Sequence, residues 1–143
     1  MKPPGSLPHT GGCLCGSVRY EIDEHPLGTS YCHCEDCRRA SGAPATAWTF
    51  FRSGSLRFVA SLPKTLQWAG RERTFCPNCG TPLTFLDPAL PHIFEVTTGS
   101  LDHPGQFPPG DHNWINDRLA WFPTGDGLPE FPENSPPPQT PVE

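Results

Sequence analysis

The stretch Tyr31-Cys32-His33-Cys34-Glu35-Asp36-Cys37-Arg38-Arg39 places three thiols within six residues. Three clustered cysteines fill three corners of a tetrahedral zinc and leave the fourth open, the arrangement of a site that does chemistry rather than one that only holds a fold. The other four cysteines come as two pairs, Cys13-x-Cys15 and Cys76-x-x-Cys79, and together supply one closed, structural tetrahedral set. All seven thiols are then used, and the expected load is two zinc ions per chain.

Working outward from that stretch, Cys34 to Gly42 reads as one or two helical turns, with acidic residues early, basic residues late and a glycine stop. If the Cys32–Cys34 backbone is extended, alternate side chains point to opposite faces and His33 looks away from the sulfurs. Arg38 and Arg39 have two readings, as partners of the helix dipole or as holders of a substrate carboxylate through paired hydrogen bonds. Upstream, Thr10 to Gly16 reads as a glycine-bracketed turn that aims Cys13 and Cys15 at one ion, followed by a strand over Ser17–Ile22. Downstream, Ala43–Phe51 and Leu56–Ala60 read as a hairpin about the Ser53-Gly54-Ser55 turn. Trp48 and Phe50 fit core packing there, with a pocket wall as the alternative. A second hairpin, Thr65–Trp68 with Arg73–Phe75, delivers Cys76-Pro77-Asn78-Cys79-Gly80, a zinc-knuckle turn. Strands over Leu83–Phe85 and Ile93–Gly99 follow, and His112–Phe122 reads as a late strand and its exit.

The totals agree with a loop-rich, all-β body. With 143 residues the chain fits one domain, and its 14 glycines, 20 prolines and 35% hydrophobic content disfavour long helices. Residues 1–9 and 131–143 are proline-bearing and expected to be disordered, leaving 10–130 as the zinc-binding domain. An odd cysteine count, a one-residue spacing unsuited to a local disulfide and a start without an apolar run favour metal over disulfides and a reducing, cytoplasmic setting. No apolar run is long enough to span a membrane. The formal charge of -5 disfavours binding to a phosphate backbone.

Gly12-Cys13-x-Cys15-Gly16, Cys32-His33-Cys34-x-x-Cys37-Arg38-x-x-Ser41-Gly42, Cys76-x-x-Cys79-Gly80 and His112-x-Trp114-x-x-x-Arg118-x-x-Trp121 together resemble the glutathione-dependent formaldehyde-activating enzyme and centromere protein V family. The resemblance implies an Mss4-like β-tent of twisted antiparallel sheets with two zinc sites. Cys13, Cys15, Cys76 and Cys79 would be structural, and Cys32, Cys34 and Cys37 catalytic. It also implies a carbon-sulfur lyase-type activity, joining a glutathione-like thiol to a small aldehyde such as formaldehyde or running in reverse. Glu35 and His112 are the candidate acid-base groups. A zinc-stabilised binding or scaffold module without catalysis is the alternative, and a zinc store or thiol-redox sensor is a third reading.

Overall fold

The computed structural model describes residues 5–136. In chain order it forms β1 (His9–Gly12), β2 (Arg19–Ile22), β3 (Gly28–Cys32), α1 (Glu35–Ser41), β4 (Thr46–Arg52), β5 (Leu56–Phe58), β6 (Lys64–Trp68), β7 (Arg71–Phe75), β8 (Pro82–Leu86), β9 (Ile93–Thr97) and β10 (Asp111–Asn113), with three short 3-10 turns after β9. The chain is mostly β, as expected. A three-stranded sheet, β1-β2-β5, faces a seven-stranded sheet in the order β10-β3-β4-β9-β8-β7-β6. All pairs are antiparallel except β10 with β3, which is parallel.

The core lies between the two sheets. Val18, Tyr20 and Ile22 come from the small-sheet side, and Phe51, Leu83 and Val96 from the large sheet, with Leu101 and Phe107 closing one end. Because strand side chains alternate, the residues on the other face of β4 and β9, Trp48, Phe50 and Glu95, point away from this core. The large sheet therefore has a structural face and a second face free to line a cavity.

Four local expectations are corrected. Thr10 to Gly12 are strand, not turn. Gly11 is required there by close approach, since a Cβ would lie 2.3 Å from the Tyr20 hydroxyl. The turn itself falls at Cys13–Gly16, where Gly16 takes φ 80°. The expected β4–β5 hairpin does not form. Both edges of β4 are already covered, by β3 and β9, so the chain turns at Gly54 and β5 joins β2 in the small sheet instead. His9, assigned to the disordered lead-in, is the buried first residue of β1. The proline-bearing end is likewise ordered where it follows β10. Phe131 donates its backbone N–H to the His112 carbonyl, Trp114 donates to the Glu133 carbonyl, and the Ser135 N–H reaches the Asn113 side chain. β10 is an edge strand, and its backbone groups find their partners in this segment. The rest of the two terminal expectations, residues 1–4 and 137–143, lies outside the described residues.

Candidate metal sites and active-site pocket

Cys13 and Cys15 occupy the turn after β1, and Cys76 and Cys79 the turn between β7 and β8. Their four sulfurs all lie within 4.8 Å of one another. The Cys13–Cys15 and Cys15–Cys76 sulfur separations are 3.6 Å and 3.8 Å. A tetrahedron with zinc–sulfur bonds of about 2.3 Å has edges of roughly 3.8 Å, whereas a disulfide needs about 2.05 Å. Polar groups converge on the sulfurs: the Val18 N–H donates to Cys13, the Asn78 and Cys79 N–H groups to Cys76, and the Asn78 side-chain amide to Cys15. Hydrogen bonds with Thr81 lower the Cys79 thiol to about 5, and those with Ser17 lower Cys15 to about 7, while burial pushes Cys13 up. The set fits zinc, and it joins the small sheet to the large one.

The second set forms where β3 runs into α1. Cys32 ends the strand, Cys34 is the helix N-cap with its sulfur 3.2 Å from the Cys37 N–H, and Cys37 lies buried in the first turn. Gly42 closes the helix in the left-handed conformation at φ 74°, as the sequence requires. The three sulfurs again lie within 4.8 Å of one another, and among the described residues no fourth histidine, cysteine or carboxylate joins them. Hydrogen bonds with Cys32 and Cys37 pull the Cys34 thiol far down, and those with Cys34 and Cys37 push Cys32 far up. Three thiols so close cannot all ionise alone, and a dication removes that conflict. This donor set also fits zinc, with one position left over.

The three sulfurs open onto a cavity of about 670 Å³ on the second face of the large sheet. Trp48, Phe50 and Phe85 form its apolar wall, and Arg73 and Glu95 lie in the same cross-strand row as Phe85 and Phe50. Trp48 is 5% exposed yet lies outside the inter-sheet core, so the pocket-wall reading of Trp48 and Phe50 replaces the core reading. Asn113, Trp114 and Asn134 line the mouth, where the Trp114 indole N–H donates to Asn134.

With this geometry established, comparison with known proteins decides the relationship. The family model described as "Glutathione-dependent formaldehyde-activating enzyme" matches residues 8–117. The chain belongs to this family. It is 35% identical over 79 residues to a protein of Schizosaccharomyces pombe named as an uncharacterized lyase, a match covering 54% of this chain and 56% of the relative. The chain thus matches little more than half of that relative's length. A solved Rhodobacter sphaeroides protein superposes with a TM-score of 0.56 at 24% identity, over 65% of this chain and 87% of that one, a likeness of fold.

Within the family frame, the remaining motif residues take different stations. His33 is fully buried and turned away from the sulfurs, as the alternation predicts. Its Nε2 lies 2.9 Å from His112 Nδ1, and His112 Nε2 lies 2.8 Å from Asp126. Burial and the neighbouring His112 hold His33 below the usual imidazole range. His112 is fully buried, stacked on Tyr31, and does not line the cavity, so it is not placed to exchange protons there. Arg118 donates to the carbonyls of Leu119, Ala120 and Phe122 and shapes the exit loop, while Trp121 is exposed. Of the helix residues, Glu35 lines the cavity rim and ion-pairs with Arg39. Neither Arg38 nor Arg39 lines the cavity, which removes the carboxylate-holder reading of both. Arg73 and Glu95 are the charged residues in the row with Phe50 and Phe85, while Glu35, Asp36, Arg71, Asp87 and Asp117 also line the cavity; the sequence did not single out Arg73 or Glu95, and the signal for Arg73 was only an arginine at alternate positions 71 and 73 of a strand whose Thr74 is buried.

Proposed function

We propose that this protein is a zinc-dependent, carbon-sulfur lyase-type enzyme that adds a glutathione-like thiol to a small aldehyde such as formaldehyde, or reverses that addition. The observation that carries the reading is the three-thiol set, Cys32, Cys34 and Cys37, facing a 670 Å³ cavity with no fourth protein ligand among the described residues. The family description and the name of the yeast relative support the same class of reaction.

Cys32, Cys34 and Cys37 would hold zinc, which would lower the pKa of a substrate thiol bound beside them so that its thiolate is available near neutral pH. In the addition, the substrate sulfur forms a bond to the carbonyl carbon, the carbonyl π electrons move to oxygen, and that oxygen takes a proton to give the hemithioacetal. The chain's own residues orient and shelter this step. Trp48, Phe50 and Phe85 keep bulk water from one side of the cavity. Glu95 is held toward its neutral acid, with a pKa of about 8 set chiefly by burial, and is the titratable wall group able to exchange a proton near neutral pH. Cys13, Cys15, Cys76 and Cys79 hold the structural zinc in this reading and take no part in the chemistry.

The test is nuclear magnetic resonance exchange of carbon-13 formaldehyde with glutathione in the presence of the zinc-loaded chain. Acceleration of adduct formation or breakdown that is abolished by Cys34→Ser, in a variant with an unchanged far-UV spectrum, is the expected result. Equal turnover by wild type and Cys34→Ser would overturn the proposal.

A further inference from the structure

Six of the eight arginines in this protein are satisfied internally, Arg118 by backbone carbonyls and the others by carboxylates, while Arg38, whose Nε is buried without a partner among the described residues, lies outside the cavity. Arg19 pairs with Asp102, Arg39 with Glu35, Arg52 with Glu24, Arg57 with Glu21 and Asp23, and Arg71 with Asp87. Arg73 is different. Among the described residues it makes no ion pair or side-chain hydrogen bond, although it lies half-buried in the cavity wall. Its guanidinium sits 4.8 Å from the Phe85 ring centroid and 6.0 Å from that of Trp48. Contact with an aromatic face fixes a guanidinium while leaving its in-plane N–H donors free, and those donors match the two oxygens of a carboxylate.

Register brings it toward the thiols. Arg73 pairs with Phe85, and Phe85 with Glu95, in one row across β7, β8 and β9. Arg73, Glu95 and the three cysteines line the same cavity. Glu95, its nearest carboxyl in the row, does not pair with it, and Asp87 is taken by Arg71. The cavity therefore keeps one cation that the fold does not neutralise.

Resting on the thiol-addition reading above, we infer that Arg73 is a specificity residue that binds a carboxylate carried by the thiol substrate. The ligand class is a thiol with an anionic carboxylate at some remove from its sulfur; neutral thiols enter the same cavity without this anchor.

Calorimetric titration of the zinc-loaded full chain with glutathione, glutathione diethyl ester and 2-mercaptoethanol tests this. Wild type is expected to bind glutathione about tenfold tighter than the diester, the worth of one charged hydrogen-bonded pair. Arg73→Gln removes that preference and leaves 2-mercaptoethanol binding unchanged, which also reports that the variant's pocket is intact; Arg73→Lys restores part of the preference. Equal affinities of glutathione and diester for wild type overturn the inference. So does an Arg73→Gln variant that weakens all three thiols alike, because Arg73 would then serve the thiol cluster and not the substrate. If none of the three thiols binds, the thiol-addition reading fails and takes this inference with it.

Discussion

His33 Nε2 and His112 Nδ1 lie 2.9 Å apart, joining β3 to its parallel neighbour β10 through two fully buried imidazoles. With the Nε2–H of His112 given to Asp126, its Nδ1 accepts from the Nε2–H of His33. The pair thus fixes the backbone between Cys32 and Cys34 from behind, while the sulfurs face the cavity. His112→Ala strands the buried His33 and empties a large interior volume, and is expected to cost about 3 kcal/mol in denaturant unfolding. A loss below about 0.5 kcal/mol would show that the pair contributes no net stability.

The Cys13, Cys15, Cys76 and Cys79 set bridges positions 61 residues apart between Cys15 and Cys76. Structural zinc of this kind is worth on the order of 10 kcal/mol in apparent binding energy, comparable with the whole stability of a domain. Cys76→Ser is therefore expected to give a chain without cooperative thermal unfolding. A cooperative transition within a few degrees of wild type would contradict the bridging role.

Acid should loosen the small sheet at one ion pair. Asp102 accepts from Arg19, with one contact at 2.9 Å, and from Thr10 at 2.6 Å, and these bonds, led by Arg19, hold its carboxyl below the usual range. A depressed carboxylate contributes stability that is present above its unfolded value and lost as pH falls through its folded one. The two side chains are 37% and 31% exposed, so solvent screening limits the gain to about 0.5–1 kcal/mol. Asp102→Asn should lose that amount at pH 7, and the difference from wild type should shrink as pH falls through the folded value of Asp102; a difference that does not shrink with acid while the zinc is retained would contradict the ion-pair account.

Glu95 runs the opposite way. Burial is the main cause of its rise to about 8, opposed by Arg73. The stability this group confers is present below its unfolded value and lost as pH rises through about 8, so Glu95→Gln should gain on wild type on the alkaline side. Carbon-13 titration of the carboxyl should show a midpoint near 8, displaced upward by Arg73→Gln. A midpoint in the ordinary carboxylate range would contradict the buried environment.

Much of the metal geometry was legible because ligand spacing is local. Cys-x-Cys and Cys-x-x-Cys turns, the Gly42 stop and the alternation that turns His33 away each depend on a few neighbouring residues, and the structure gathers the seven sulfurs in the two sets expected. The hairpin expected from Thr65–Trp68 and Arg73–Phe75 was legible for the same reason, although its turn is two residues, Ala69 and Gly70 with φ of 52° and 75°, and not the four from Ala69 to Glu72, because Arg71 and Glu72 pair with Trp68 and Gln67. What failed was long-range. Nothing near Leu56 says that both edges of β4 are taken, and nothing near Arg73 says that four strands bring it to the face bearing Trp48. The ordered segment from Phe131 to Ser135 was missed because its composition is that of a solvated tail, while its hydrogen bonds are owed to the free edge of β10. Among the described residues no helix is long and apolar enough to cross a membrane.

The central claim is that the three-thiol set is a separate metal site opening on the cavity. Metal analysis of the purified chain beside a variant with Cys32, Cys34 and Cys37 all changed to serine tests it most directly. The account predicts two zinc ions in the wild type and one in the variant, with the far-UV spectrum and cooperative unfolding retained. One ion in the wild type, or a variant that no longer folds, would contradict it and leave the three thiols as part of the scaffold.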